Sequence, residues 1–584
     1  MLPRWDLSAL FASIDDPAIG AALDKALADA EAFAGTYKDK LAGLDGAALG
    51  RAIAAYEAID EALSRVLSYA DLEQALDALD PKIARFVQGV RERVNKITTH
   101  LLFFTLELNR IDDAVFAAQL RDPAAAHYRS WLDDVRAFRP HQLADDLERL
   151  LHDKAIAGRA AWNRLFDETM AALRFTVGGK TLTSAEALHL LSDSDGKVRG
   201  AAAHEIARVL NDNIRLLSLV TNTLAKDKAI EDEWRSFARP VSSRNLANQV
   251  EDEVVDALVA AVRAAFPRIA HRYYTMKAGW LGVDRMAYWD RNAPLPDVDD
   301  RTIPWTDARD TVLGAYAGFA PQMADIARRF FDSGWIDAPV GPAKASGAFA
   351  HPTVPSAHPF VLLNYLGKTR DVMTLAHELG HGVHQVLAAG QGHLLSQTPL
   401  TLAETASVFG EMLTFRAMLN AETDAGRRKA MLAGKVEDMI NTVVRQIAFY
   451  EFERRVHDER REGELTPERL GQIWMGVQTE SLGPAFDFDP EYNVYWSYIP
   501  HFVHSPFYVY AYAFGDCLVN SLYAVYQQGA DGFAEKYFAM LRAGGTLRHK
   551  ELLAPFGLDA SDPAFWDKGL AVVEGLIDEL AALD

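Results

Sequence analysis

Apolar residues recur at spacings of three and four over most of this 584-residue chain. Between residue 17 and about residue 280 the pattern reads as successive amphipathic helices, as in ALDKALADAEAFAGTY and VVDALVAAVRAAFPRIAHRYY. Strand-type alternation is scarce there. TLTSAEALHLL carries a start signal, with Ser184 as its expected N-cap. From Gly282 to Trp305 the texture becomes rich in Pro and Asp, which predicts an irregular surface segment. A helical stretch is expected from Asp307 to about Phe331, then a Gly/Pro-rich passage running into PFVLLNYLG. That short apolar run, bounded by turn residues, is the best strand in the chain. Helical patterns resume at Asp371 and dominate to the end, broken by RAGGTLRHKELLAPFGLD, where Gly544-Gly545 reads as a turn before a short helix. The fold class is therefore mainly α.

A chain this long exceeds what one hydrophobic core supports, so more than one lobe is expected. We divide it into an N-terminal helical region, 1–200, and a catalytic region, 201–584. Hydrophobic residues make up 49% and charged residues 24%, ample for large cores. The formal net charge of −21 argues against nucleic acid and against an anionic membrane surface as partners. No apolar run reaches the ~18 residues that span a bilayer, and MLPRWDLSALFASIDD has no signal-peptide pattern. The single cysteine, Cys517, sits in an apolar run and reads as a buried thiol; its lack of a partner excludes an intrachain disulfide and fits a reducing cytoplasm. Nothing in the patterning specifies an oligomeric state.

The chemistry is concentrated in DVMTLAHELGHGVHQVLA. His377 and His381 are four apart, so on a helix they share one face and both imidazoles can reach one ion. Glu378, beside His377, can lean over the same ion as a base. Val372, Leu375, Leu379, Val383 and Leu387 supply a buried stripe for that helix. A catalytic zinc ion takes three protein ligands and keeps one position for water. Downstream, TLAETASVFGEMLTF offers Glu404 and, seven positions on and therefore on nearly the same helical face, Glu411. We take Glu404 as the ligand and Glu411 as the group that hydrogen-bonds one of the ligands. A zinc site with a third histidine would need His at 387 and Gly at 384; these positions are Leu387 and His384, so that arrangement is excluded and His384 reads as a packed or hydrogen-bonding side chain. HEIAR at 204–208 ends in Arg208 and cannot supply a second histidine.

These segments resemble the M3 family of metallopeptidases, in particular its oligoendopeptidase F group. The likeness runs through GWIDAPVGPAKASGAF, PFVLLNYLGKTRDVMTLAHELGHGVH, LAETASVFGEM, IPHFVHSPFYVYAYAFG and LRAGGTLRHKELLAPFGLD, and the opening PRWDLSALF is similar to the start of that group. The resemblance implies a two-lobed helical body with a deep central channel and a small β-sheet near one zinc ion. It implies internal cleavage of short, unstructured peptides, with PFVLLNYLG pairing with the substrate backbone. A carboxypeptidase with the same core would remove only C-terminal residues. Carried over by position, His377, His381 and Glu404 match the metal ligands and Glu378 the general base. His501, Tyr508 and Tyr512 fall in the stretch that resembles the family's transition-state donors, with His504 where many relatives have an aromatic residue.

Overall fold

Asp-Pro pairs punctuate the chain and start its helices. At Asp16-Pro17, Asp80-Pro81, Asp122-Pro123 and Asp562-Pro563 the Asp carboxylate accepts the backbone N–H two residues on, and Pro opens the first turn. The carboxylate satisfies an orphan donor at the positive end of the helix, and Pro sacrifices an N–H that had no partner. The computed structural model describes residues 2–583 other than 78, 156 and 296–300. Helices dominate it, with only two- and three-stranded sheets, so the fold is mainly α as expected.

Two compact units are present, each assembled from three separate segments. The first comprises 1–139, 300–421 and 525–558; the second comprises 140–299, 422–524 and 559–584. Each unit draws residues from both sides of position 200, so compactness does not follow the 1–200 and 201–584 boundary. Among the described residues, no helix is long and apolar enough to cross a membrane.

In the first unit, helices Trp305–Phe319, Pro321–Asp332, Thr369–Ala388 and Ser407–Ala421 pack together. The single helix read from Asp307 to Phe331 is two, because Pro321 cannot continue the preceding turn and Ala320 is extended. Phe319, Phe409, Phe533 and Tyr537 form an aromatic core, with Tyr537 and Phe409 ring centres 4.6 Å apart. A three-stranded sheet is ordered Ile336–Asp337, Phe360–Leu362, Phe349–His351. Buried Lys344 ties its connection down, donating to the Asp337 carboxylate and to the carbonyls of Pro339 and Leu363 at 2.6–2.7 Å. The expected strand in PFVLLNYLG exists, but it is central. Ile336–Asp337 pairs it on one side and Phe349–His351 on the other. Both its edges are taken, so it cannot add a substrate strand. The outer strands of the sheet are Ile336–Asp337 and Phe349–His351.

The second unit holds helices Gly196–Asp212, Ile214–Trp234, Asp252–Ala265, Ala425–Thr442, Val444–Glu462, Pro467–Leu482 and Pro563–Ala581. An antiparallel hairpin interrupts the helices expected up to residue 280: Phe175–Val177 pairs with Lys180–Leu182. Gly178 and Gly179 both take positive φ, 59° and 79°, as a tight two-residue hairpin turn requires. Thr183, not Ser184, caps the next helix. Its hydroxyl accepts the Glu186 N–H while the Glu186 carboxylate accepts the Thr183 N–H, and Ser184 instead donates to the Met170 carbonyl. In the Pro/Asp-rich segment, Met286–Ala287 pairs in parallel with Phe486–Asp487; residues 296–300 lie outside the described residues. Cys517 is fully buried.

Candidate active site

His377, Glu378 and His381 lie on the helix Thr369–Ala388, which starts where the Asp371 carboxylate accepts the N–H groups of Leu366 and Lys368. Val372, Leu375, Leu379 and Val383 bury their side chains completely. This stripe turns the histidine face the other way, where both imidazoles are partly exposed. Gly380 permits a backbone approach no other residue would allow: a Cβ there would stand 2.3 Å from the Ala406 carbonyl oxygen and 2.6 Å from the Ser407 Cα. That approach brings the carboxylate-bearing segment up to the helix. Gly410 performs the same service for Tyr316, whose hydroxyl donates to the Ala376 carbonyl.

Glu404 and Glu411 do not share one helical face, contrary to the reading from their spacing. Glu404 ends the short helix Leu400–Ala403, and a turn separates it from Ser407–Ala421, which carries Glu411. The turn places the two carboxylates on opposite sides of one imidazole. The Glu404 Oε2 atom is 3.3 Å from His377 Nε2 and 3.4 Å from His381 Nε2. Glu411 Oε2 is 3.1 Å from His377 Nδ1. With Nδ1 donating to Glu411, His377 Nε2 keeps its lone pair for a metal. Ser407 donates to Glu404 Oε2 at 2.6 Å and orients it. Neither Ser407 nor the role of Gly380 was read from the sequence; the Gly inside HELGH was the available signal.

One ligand atom from each of His377, His381 and Glu404 lies within 4.8 Å of the others. For bonds of about 2.0–2.1 Å a tetrahedral ion sets its ligands roughly 3.4 Å apart. The two His–Glu separations match that edge, so the residues fit a zinc-sized ion with three protein ligands. Glu411→Gln would leave these ligands in place but weaken the partner of His377 Nδ1. It is expected to lower metal affinity by about 10–100-fold in a competitive chelator titration.

Burial pushes the Glu378 carboxyl up to about 7, with His377 working against the shift and the Glu404 charge adding to it. The Ala350 amide on the sheet edge hydrogen-bonds the same carboxyl. Burial alone would depress the His377 imidazole, but hydrogen bonds to Glu404 and Glu411 raise it well above its ordinary value. Burial lowers His381 to about 4. At Glu404 burial opposes ionisation, yet His377, His381 and Ser407 hold the carboxyl at about 2. His384 is buried beside this face, its Nε2 3.4 Å from the Thr398 hydroxyl.

His501, Tyr508 and Tyr512 belong to the second unit. His501 opens the four-residue helix His501–His504, and Tyr512 lies in the first turn of Tyr510–Gln527. The Tyr512 hydroxyl is 3.4 Å from His501 Nε2, and the Tyr508 ring centre is 5.3 Å from that of Tyr512. Phe507, buried between them in sequence, takes a left-handed φ of 59° and donates its N–H to the buried Glu453 carboxylate at 2.9 Å. This fixed turn aims the three polar rings into one partly exposed group. His504 points elsewhere, with Nε2 2.8 Å from Asp167.

Comparisons with known proteins place the chain in a family. The family model for Peptidase family M3 matches residues 190–572, and that for Oligopeptidase F matches residues 107–175. Oligopeptidase PepF of Bacillus subtilis (strain 168) is 26% identical over 94% of this chain and 82% of its own length. An oligoendopeptidase F homolog of Borreliella burgdorferi is 24% identical over 90% of this chain and 89% of its own. Among solved structures, a candidate peptidase from Chlamydophila abortus superimposes with a TM-score of 0.86, at 22% identity, covering 100% of this chain and 98% of the other. Oligoendopeptidase-F from Enterococcus faecium gives 0.73 at 22% identity, covering 96% and 97%. These structures share the fold. Because the M3 match spans more than half of the chain and runs through the His377–His381 helix and the Glu404 turn, the chain belongs to peptidase family M3.

Proposed function

We propose that this peptidase is a zinc-dependent endopeptidase that cuts internal bonds of short, unstructured peptides. The observation that carries the reading is the convergence of His377, His381 and Glu404 on one point, with the Glu378 carboxyl on the same helix. When bound, the ion would polarise the scissile carbonyl and lower the pKa of a water molecule toward about 7. Glu378 takes the proton from that water and delivers it to the leaving nitrogen. Its elevated pKa suits both steps, since a group titrating near neutrality accepts and returns a proton readily. The outer strand Phe349–His351 lies beside it, its Ala350 amide donating to Glu378 and its Ala350 carbonyl accepting from Gln385 at 3.2 Å, and a substrate backbone adding there as a further strand would take over these contacts.

Tyr512 and His501 are the proposed donors to the oxygen on which charge develops, with Tyr508 orienting them. Tyr512→Phe is expected to leave KM within a few-fold and to lower kcat by about 10²–10³. Steady-state kinetics on an internally quenched peptide measure both; an unchanged kcat would remove Tyr512 from the reaction.

Digestion of a peptide library with and without a chelator, read by mass spectrometry, tests the function as a whole. Chelator-sensitive internal fragments are expected. Release of only C-terminal residues would replace the endopeptidase reading with a carboxypeptidase one, and chelator-insensitive cleavage would remove the metal.

A further inference from the structure

Phe507 is an unusual side chain to stand in a left-handed turn. Among the described residues five non-glycine residues take positive φ, and the other four, Asp39, Ser236, Gln249 and Thr353, are polar. A polar side chain can hydrogen-bond its own backbone in that conformation; a benzyl group cannot. Phe507 keeps it because its surroundings impose it. Its ring is fully buried against Tyr450 and His457, with ring centres 5.9 and 4.9 Å away. Glu453, which accepts its N–H at 2.9 Å, lies between these two on the helix Val444–Glu462. Positions 450, 453 and 457 share one helical face, so a single face receives both the ring and the amide.

The rest of the turn is gripped from other helices. Arg244 Nε donates to the Pro506 carbonyl at 3.2 Å, and Arg159 Nη2 donates to the His504 carbonyl at 2.9 Å. Beyond the turn, the buried Tyr510 hydroxyl accepts from Asn248 Nδ2 at 2.8 Å. Tyr508 and Tyr512, on either side of Tyr510, are left partly exposed. Glu453 is the costly member of this set. It is buried, and its Oε2 atom has no hydrogen-bond partner. The carboxyl is desolvated for the sake of a single amide, a cost that an apolar space-filling residue would avoid.

We propose that Glu453 is a positioning residue for the reaction: by holding the Phe507 turn it sets the directions in which Tyr508 and Tyr512 present their hydroxyls. All of these residues belong to the second unit. The part the tyrosines play in turnover rests on the proposed function; the hold on the turn rests on its hydrogen bonds and its backbone. A displacement of about 1 Å at a donor can lower a rate by about 10²-fold.

Two substitutions in the zinc-loaded enzyme test it. Glu453→Met removes the acceptor at similar volume, and Glu453→Gln keeps an oxygen in its place. Glu453→Met is expected to lower kcat by about 10–100-fold with KM within a few-fold. Glu453→Gln should restore kcat to within a few-fold of wild type. Hydrogen exchange across residues 501–512, read by mass spectrometry, should speed up in Glu453→Met and not in Glu453→Gln. Added to Tyr512→Phe, Glu453→Met should lower kcat by no more than about three-fold further, because both changes act on one group. Wild-type kcat in Glu453→Met would overturn the proposal. So would a loss that multiplies in full with that of Tyr512→Phe, which marks a general effect on the fold. If Glu453→Met does not fold, Arg244→Met, which frees the Pro506 carbonyl, takes its place with the same expected and overturning results. Unchanged exchange in Glu453→Met would remove the hold, whatever Tyr512 does. Unchanged kcat in Tyr512→Phe beside faster exchange in Glu453→Met would instead remove the donor reading, and the positioning role with it.

Discussion

Glu378→Gln is expected to lower kcat by about 10²–10⁴-fold while the protein keeps one zinc ion per chain. The substitution is nearly isosteric and removes only the ability to take a proton. Glu378 is not one of the three converging ligands, so metal content should not change. The Gln carbonyl can still accept the Ala350 amide, which keeps the sheet edge in place. Turnover of an internally quenched peptide and zinc measured by mass spectrometry separate the two effects. Wild-type rates in the variant would exclude Glu378 as the base. The pH dependence follows with a definite sign. The base works as a carboxylate, and burial raises its pKa to about 7 in the metal-free protein. A nearby dication favours the charged form. The acid limb of kcat/KM in the loaded enzyme should therefore lie below 7, with activity rising as pH increases through it.

Glu404→Ala is expected to remove both metal and activity. Glu404 Oε2 is the atom that lies within 3.4 Å of both imidazole Nε2 atoms. Without it two histidines remain, too few for a stable catalytic zinc site. The loss of affinity should exceed the about 10–100-fold expected when Glu411 is altered, because Glu411 acts through His377 and not on the ion. Glu404→Gln keeps the shape and loses the charge, so it should retain some metal at high zinc concentration. A chelator titration ranks the variants. Full zinc occupancy in Glu404→Ala would show that another carboxylate completes the site.

The helix bearing His377 and His381 was legible because two local signals coincided, an apolar stripe at helical spacing and two histidines on the opposite face. The Asp-Pro helix starts were equally legible in principle, since cap and first-turn preferences are local. The arrangement of Glu404 was not. Its seven-residue spacing from Glu411 suits a continuous helix, and the turn that interrupts it follows the close approach to Gly380, a tertiary contact. The sheet misled for a related reason. The most strand-like run, Phe360–Leu362, is apolar because both faces and both edges are covered, whereas Phe349–His351, an outer strand, sits among Gly and Pro residues and reads as loop. The hairpin at 175–182 carried its own signal in Gly178-Gly179, masked by helical patterns on either side.

The unit that carries His377, His381 and Glu404 is completed by stretches far apart in the polypeptide. Asp60 accepts from His393 at 2.9 Å, Glu57 caps the Leu394 amide, and Tyr537 donates to the Thr405 carbonyl beside Glu404. His377, His381 and Glu404 therefore cannot reach their final setting while the polypeptide emerges from the ribosome only as far as Glu404; residues up to about 558 must be made first. Truncated products ending earlier would carry the HELGH helix with its apolar stripe incompletely covered, making nascent chains and proteolytic stubs of this enzyme clients for chaperones rather than stray proteases.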